Sequence, residues 1–66
     1  MKTLKKQTVN YKEITIDGYS GKYLVSCFDT ERRKTTFSYH YKTLKEAKQC
    51  FNDLVNIQEE IMTYQF

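Results

Sequence analysis

The sequence has no proline and no tryptophan, two glycines, one histidine and two cysteines. Each scarcity removes a class of function. Nothing resembles a glycine-rich phosphate loop or a nucleophile motif. His40 has no second histidine to share a metal with, and neither cysteine lies near it in sequence. It reads as a strand surface residue rather than a general base or a ligand. The widely separated Cys27 and Cys50 make no disulfide framework and read as small buried hydrophobes. No stretch approaches the roughly 20 apolar residues of a membrane span. The start, MKTLKKQTVN, is basic but lacks the apolar run of a secretory signal. A cytoplasmic setting is expected, with no membrane partner, no cofactor, no metal and no catalytic residue. A chain of 66 residues also leaves little room for a catalytic pocket, so the protein does not read as an enzyme.

What is abundant is tyrosine and positive charge. Six Tyr and four Phe suit strands and a small core. One domain of this length, expected to span 1–66, buries only about 60% of its unfolded surface. Not all ten aromatics fit inside, so some tyrosines are expected in solvent or in an interface. The net charge is +3, and it is unevenly spread. Residues 1–42 hold nine Lys or Arg against four acids, whereas residues 43–66 hold two against four. A basic half facing an acidic half orients encounters with charged partners.

Along the chain, residues 1–6 read as a loose basic tail and TVNYKEITI, 8–16, as a first strand. In it Val9 and Tyr11 keep one phase while Ile14 and Ile16 keep the other. That change predicts a bulge near Lys12 and Glu13, or a later start. Asp17-Gly18-Tyr19-Ser20-Gly21 is the clearest turn signal. A second strand is expected over Lys22–Asp29, with Leu24, Ser26 and Phe28 on one side and Tyr23, Val25 and Cys27 on the other. Thr30 to Arg33 then close a hairpin without glycine, which predicts a longer loop built on a type I turn. Lys34–Tyr41 alternates as a third strand, with Thr35, Phe37, Tyr39 and Tyr41 on one side and Thr36, Ser38 and His40 on the other.

Thr43-Leu44-Lys45-Glu46 has the spacing of a capping box, in which the Thr43 hydroxyl accepts from the Glu46 amide and the Glu46 carboxylate reaches back to the Thr43 amide. The helix is expected from Leu44 to about Met62, and most of its apolar positions, Leu44, Ala47, Cys50, Phe51, Leu54, Val55, Ile57, Ile61 and Met62, fall on one stripe. The fold class is therefore α+β: a three-stranded antiparallel sheet covered on one face by a C-terminal helix, βββα. Both phases of the strands carry apolar side chains. Val25 and Phe37, with Tyr23, Cys27 and Tyr39, are the stronger candidates for the covered side; Leu24 and Phe28 are the alternative. The face left bare is where a function is expected.

Two kinds of partner suit that reading. Duplex DNA would meet Arg32, Arg33 and Lys34 in the loop, with Lys12, Lys22, Lys42 and the lysines of the tail adding charge that releases counterions. A narrow antiparallel ribbon enters a major groove, and exposed tyrosines stack on unpaired bases. The alternative is a protein partner, for a phage-type inhibitor or accessory protein. It would be held by Tyr39 and Tyr41, by a free strand edge, or by the apolar C-terminus with Tyr64 and Phe66. A homodimer through the C-terminal helix is a further form of this alternative.

The segment Gly21 to Leu54 carries a resemblance. Its elements are Gly21-Lys22-Tyr23 with Val25, Asp29 followed by Arg32-Arg33-Lys34, then Phe37, then Tyr41-Lys42-Thr43-Leu44-Lys45-Glu46-Ala47, and Phe51 and Leu54 on the helix. These resemble the N-terminal arm-site DNA-binding domain of phage and conjugative-transposon tyrosine integrases, related in fold to plant AP2-type domains. The resemblance implies a three-stranded sheet lying in the major groove. By position, Lys22, Arg32, Arg33 and Lys34 would touch DNA, and Ser26, Thr36 and Ser38 would make base or sugar contacts. An integrase continues into core-binding and catalytic domains. A free-standing copy is expected to be a small regulator from a phage or mobile element, or the same scaffold put to another use.

Overall fold

The structure is a computed structural model that describes residues 2–64, with side chains described as far as residue 57. Four strands precede one helix: β1 (Lys2–Val9), β2 (Lys12–Tyr19), β3 (Lys22–Asp29), β4 (Lys34–Tyr41) and α1 (Leu44–Tyr64). The strands form one antiparallel sheet in the order β1-β2-β3-β4.

The α+β class and the C-terminal helix agree with the sequence; the number of strands does not. The expected strand over 8–16 is a hairpin. Asn10, at φ 60, opens a two-residue turn that sets Val9 opposite Lys12. The phase change near Lys12 is therefore a reversal of direction, not a bulge. Lys5 and Lys6, expected in a loose tail, pair with Ile16 and Thr15. The bulge of this hairpin lies between Thr3 and Lys5, where Leu4 is the extra residue.

The β2–β3 turn is also shorter than expected. Asp17 and Gly18 stay in β2, opposite Leu24 and Tyr23. Ser20 and Gly21 make the turn, at φ 46 and φ 73. Two positive φ values in a two-residue loop are the type I′ pattern, whose twist matches that of the flanking strands. The β3–β4 loop, 30–33, is the longer one expected, and Arg33 fills its left-handed position at φ 57. In β4 the predicted alternation breaks at Thr36. Phe37 faces Cys27 but Thr35 faces Phe28, so Thr36 is a bulge residue.

The helix starts as the capping box predicts. The Glu46 amide donates to the Thr43 hydroxyl at 3.3 Å. The Glu46 carboxylate, expected on the Thr43 amide, instead accepts from the Thr43 hydroxyl at 2.9 Å. One stripe of α1, Ala47, Phe51 and Val55, is buried on the sheet with Val9, Ile14, Ile16, Val25 and Cys27. The covered side is thus the Val25 and Cys27 phase. Ile57, one of the helix's apolar positions, is exposed because its spacing from Phe51 and Val55 turns it toward solvent. Cys27 is buried and Cys50 half-buried, and both are free thiols. No described helix is long and apolar enough to cross a membrane.

Candidate functional site

The sheet face opposite the helix holds part of the DNA-contact set. Lys22, Ser26 and Ser38 lie on it by register. Its centre is a row of hydroxyls: Thr15 and Ser26 are 2.7 Å apart, and Ser38 stands opposite Ser26. Leu24, Phe28 and the edge-on pair of Tyr19 and His40, 5.7 Å between rings, frame this row. The face is not strongly basic. Lys6 is spent on Glu13 at 3.2 Å, and the Asp17 carboxylate, which accepts from Thr3 at 2.7 Å, adds a second acid to this face. Thr36 sits at the bulge and donates its hydroxyl to the Cys27 carbonyl at 3.3 Å.

Arg32, Arg33 and Lys34 gather at the far end of the sheet, around Asp29. Asp29 is buried and shares its side of β3 with Val25 and Cys27, the helix side. One carboxylate oxygen accepts the amides of Glu31 at 3.0 Å and Arg32 at 2.9 Å. The other accepts from Lys12 at 3.0 Å, and the Arg32 Nε lies 4.0 Å from it. The Arg32 amide and the Lys12 ammonium lead the effects that hold the Asp29 pKa down at about 2, against burial, which acts the other way. Asp29 is thus the internal staple of this loop. Lys22 lies seven residue steps up β3 from Asp29, roughly 23 Å at strand rise. The sequence-predicted cations therefore form two groups, not one patch.

Tyr39 and Tyr41 lie elsewhere than on the bare face. Phe37, Tyr39 and Tyr41 all point to the helix side of β4, but α1 runs mainly over β2 and β3. The outer flank of this side stays open as a groove of about 740 Å³. Phe37 and Tyr41 from β4 and Cys50 and Leu54 from α1 line its apolar floor, with Lys45, Glu46, Gln49 and Asp53 along the helix wall. Tyr39 is 57% exposed and its ring lies 4.9 Å from that of Tyr41. The Cys50 sulfur at the Tyr41 hydroxyl, together with burial and the nearby Tyr39 and Glu46, pushes the Tyr41 pKa up to about 12. Cys50 and Leu54 were readable as stripe residues; their place in a groove was not, because it depends on how far the helix reaches across the sheet. Of the other proposed contacts, Phe66 lies outside the described residues, as do the side chains of Ile61, Met62 and Tyr64.

The two edges of the sheet differ. β1 carries Lys2, Lys5 and Lys6 and the bulge at Leu4, devices that discourage further strand pairing. On this flank the Lys5 ammonium sits 4.7 Å from the centre of the Phe51 ring and covers the core. In β4 the stretch Phe37 to Tyr41 follows the bulge in regular register and has no formally charged residue. Among the described residues nothing pairs with its outer backbone, and no group of three His, Cys, Asp or Glu side chains is placed to hold a metal. Comparison with known proteins finds no matching family, no similar curated protein and no similar solved structure.

Proposed function

We propose that this protein is a non-enzymatic binding module that takes an extended strand of a protein partner onto the edge of β4. Main-chain hydrogen bonds would supply affinity, and alternate side chains of the added strand would sit against Phe37, Tyr41, Cys50 and Leu54. The observation that carries this reading is the contrast between the edges: lysines and a bulge on β1, and five uncharged, aromatic-rich residues beside an open apolar groove on β4. An unprotected edge of that kind is a liability unless something covers it. The test is an NMR titration of the labelled protein with peptides selected from a random display library. Shifts centred on Phe37–Tyr41 and on Cys50 and Leu54 are expected; selected peptides that shift only the opposite face or the loop would overturn the reading.

The second reading is duplex DNA, held by Lys22, Arg32, Arg33 and Lys34 with Ser26, Thr36 and Ser38. The exposed arginine loop and the uncovered hydroxyl row favour it. Four strands span about 14 Å between outer backbones at ~4.8 Å spacing, wider than the ~12 Å major groove. The sheet would therefore meet DNA by its loop end rather than lie flat in the groove. Salt-dependent binding whose log–log slope shrinks in Arg32→Ala/Arg33→Ala would support this mode; no shift with random duplex at low salt would remove it.

A further inference from the structure

We infer that the strand accepted by β4 is β4 of a second copy of this chain, which rests on the edge-binding reading above. The five residues from Phe37 to Tyr41 are their own complement. In an antiparallel pairing about a two-fold axis at Tyr39, each Tyr39 faces the partner's Tyr39. Phe37 then faces the partner's Tyr41, and Ser38 faces the partner's His40. Positions directly opposite share a face in an antiparallel ladder, so the aromatics stay on the helix side and the hydroxyl and imidazole groups on the other. The aromatic row of one copy extends along the open groove of the other, and the 57% exposed Tyr39 becomes the centre of the contact.

Neighbouring registers are worse. A two-fold centred on Ser38 sets Thr36 of each copy, at the bulge, opposite His40 of the other and shortens the regular ladder to Phe37–Tyr39. A two-fold centred on His40 stacks two imidazoles and sets Ser38 against Lys42. The Tyr39-centred register leaves no formal charge facing another across Phe37–Tyr41. It is bounded by the Thr36 bulge on one side and Lys42 on the other, so the ladder is five residues long. The product is an eight-stranded sheet with both helices on one face. Such a contact buries less than the roughly 1,200 Å² of a standard stable interface, so the association is concentration-dependent rather than permanent.

The test is sedimentation of the whole chain across a wide concentration range, with Tyr39→Lys and Tyr39→Glu as variants. The wild type is expected to pass from 8.0 kDa toward twice that mass. Each variant alone places like charges at the two-fold and is expected to remain at the lower mass. An equal mixture of the two is expected to regain the doubled mass, since the charges then oppose. Recovery in the mixture is not predicted by damage to the fold. Doubled mass that survives in both single variants would overturn self-pairing at β4. A wild type that stays monomeric throughout would overturn the second copy as occupant. In that event, selected peptides that shift Phe37–Tyr41 would leave the edge-binding reading standing, and their failure would remove both.

Discussion

Phe51 is the largest side chain in the core that is fully buried, and it anchors α1 to the sheet. Phe51→Ala is expected to cost about 3–5 kcal/mol. A chain of this length has roughly 3–10 kcal/mol of total stability, so denaturant melts should show the variant largely or wholly unfolded. Asp29 ties stability to acid pH. Its folded pKa, about 2, lies below the ordinary 3.8, so its contribution is full above pH 4 and is lost as pH falls toward 2. Asp29→Asn should flatten this part of the stability–pH curve while lowering the plateau. Tyr41 works at the other end. Its folded pKa is raised from 10.0 to about 12, so its contribution is full below pH 10 and fades as pH rises toward 12. Tyr41→Phe should remove that alkaline loss. At this scale the sequence was partly legible. The helical stripe identifies Phe51, whereas the hold of Lys12 on Asp29 was hidden because it joins β2 and β3 in a register that the short Ser20-Gly21 turn sets.

Among the elements, β3, β4 and α1 could be read almost to their ends, because alternation and a capping box mark them locally. β1 could not. KTLKKQT has no apolar face of its own; it is a strand because β2 offers it a ladder, and Lys5 contributes by lying across Phe51 rather than by burying itself. The β2–β3 turn was read too long for a related reason, since Asp-Gly and Ser-Gly lie three residues apart and only the register with β3 selects between them. Two glycine substitutions test that selection. Gly21 has φ 73, and the space a methyl group would occupy there is open, so Gly21→Ala meets backbone strain alone and should cost about 1–2 kcal/mol. Gly18 lies in regular strand, and a Cβ there meets the Leu4 side chain at 3.1 Å. Leu4 is exposed and free to yield, so Gly18→Ala should be close to neutral in thermal melts. The reverse order would place the turn at Asp17-Gly18.

For the whole molecule, the separation between covered and open flanks matters more than net charge. Composition suggested one basic half, with some tyrosines in solvent or in an interface. The folded chain distributes its cations to the two ends of the sheet and to β1, pairs several with acids, and leaves Tyr39, on the helix side as expected, exposed at an unprotected edge. No pattern in the sequence tells how far a single helix extends across four strands, and this coverage is what leaves the β4 groove open. The most direct measurement is residue-resolved amide hydrogen exchange, with and without a bound strand, whether a selected peptide or a second copy at high concentration. Amides of Phe37–Tyr41 that face outward should slow on binding while those of Lys2–Lys6 in β1 stay unchanged. Slowing at β1 or in the Arg32–Arg33 loop, with β4 exchanging as freely as before, would contradict the account.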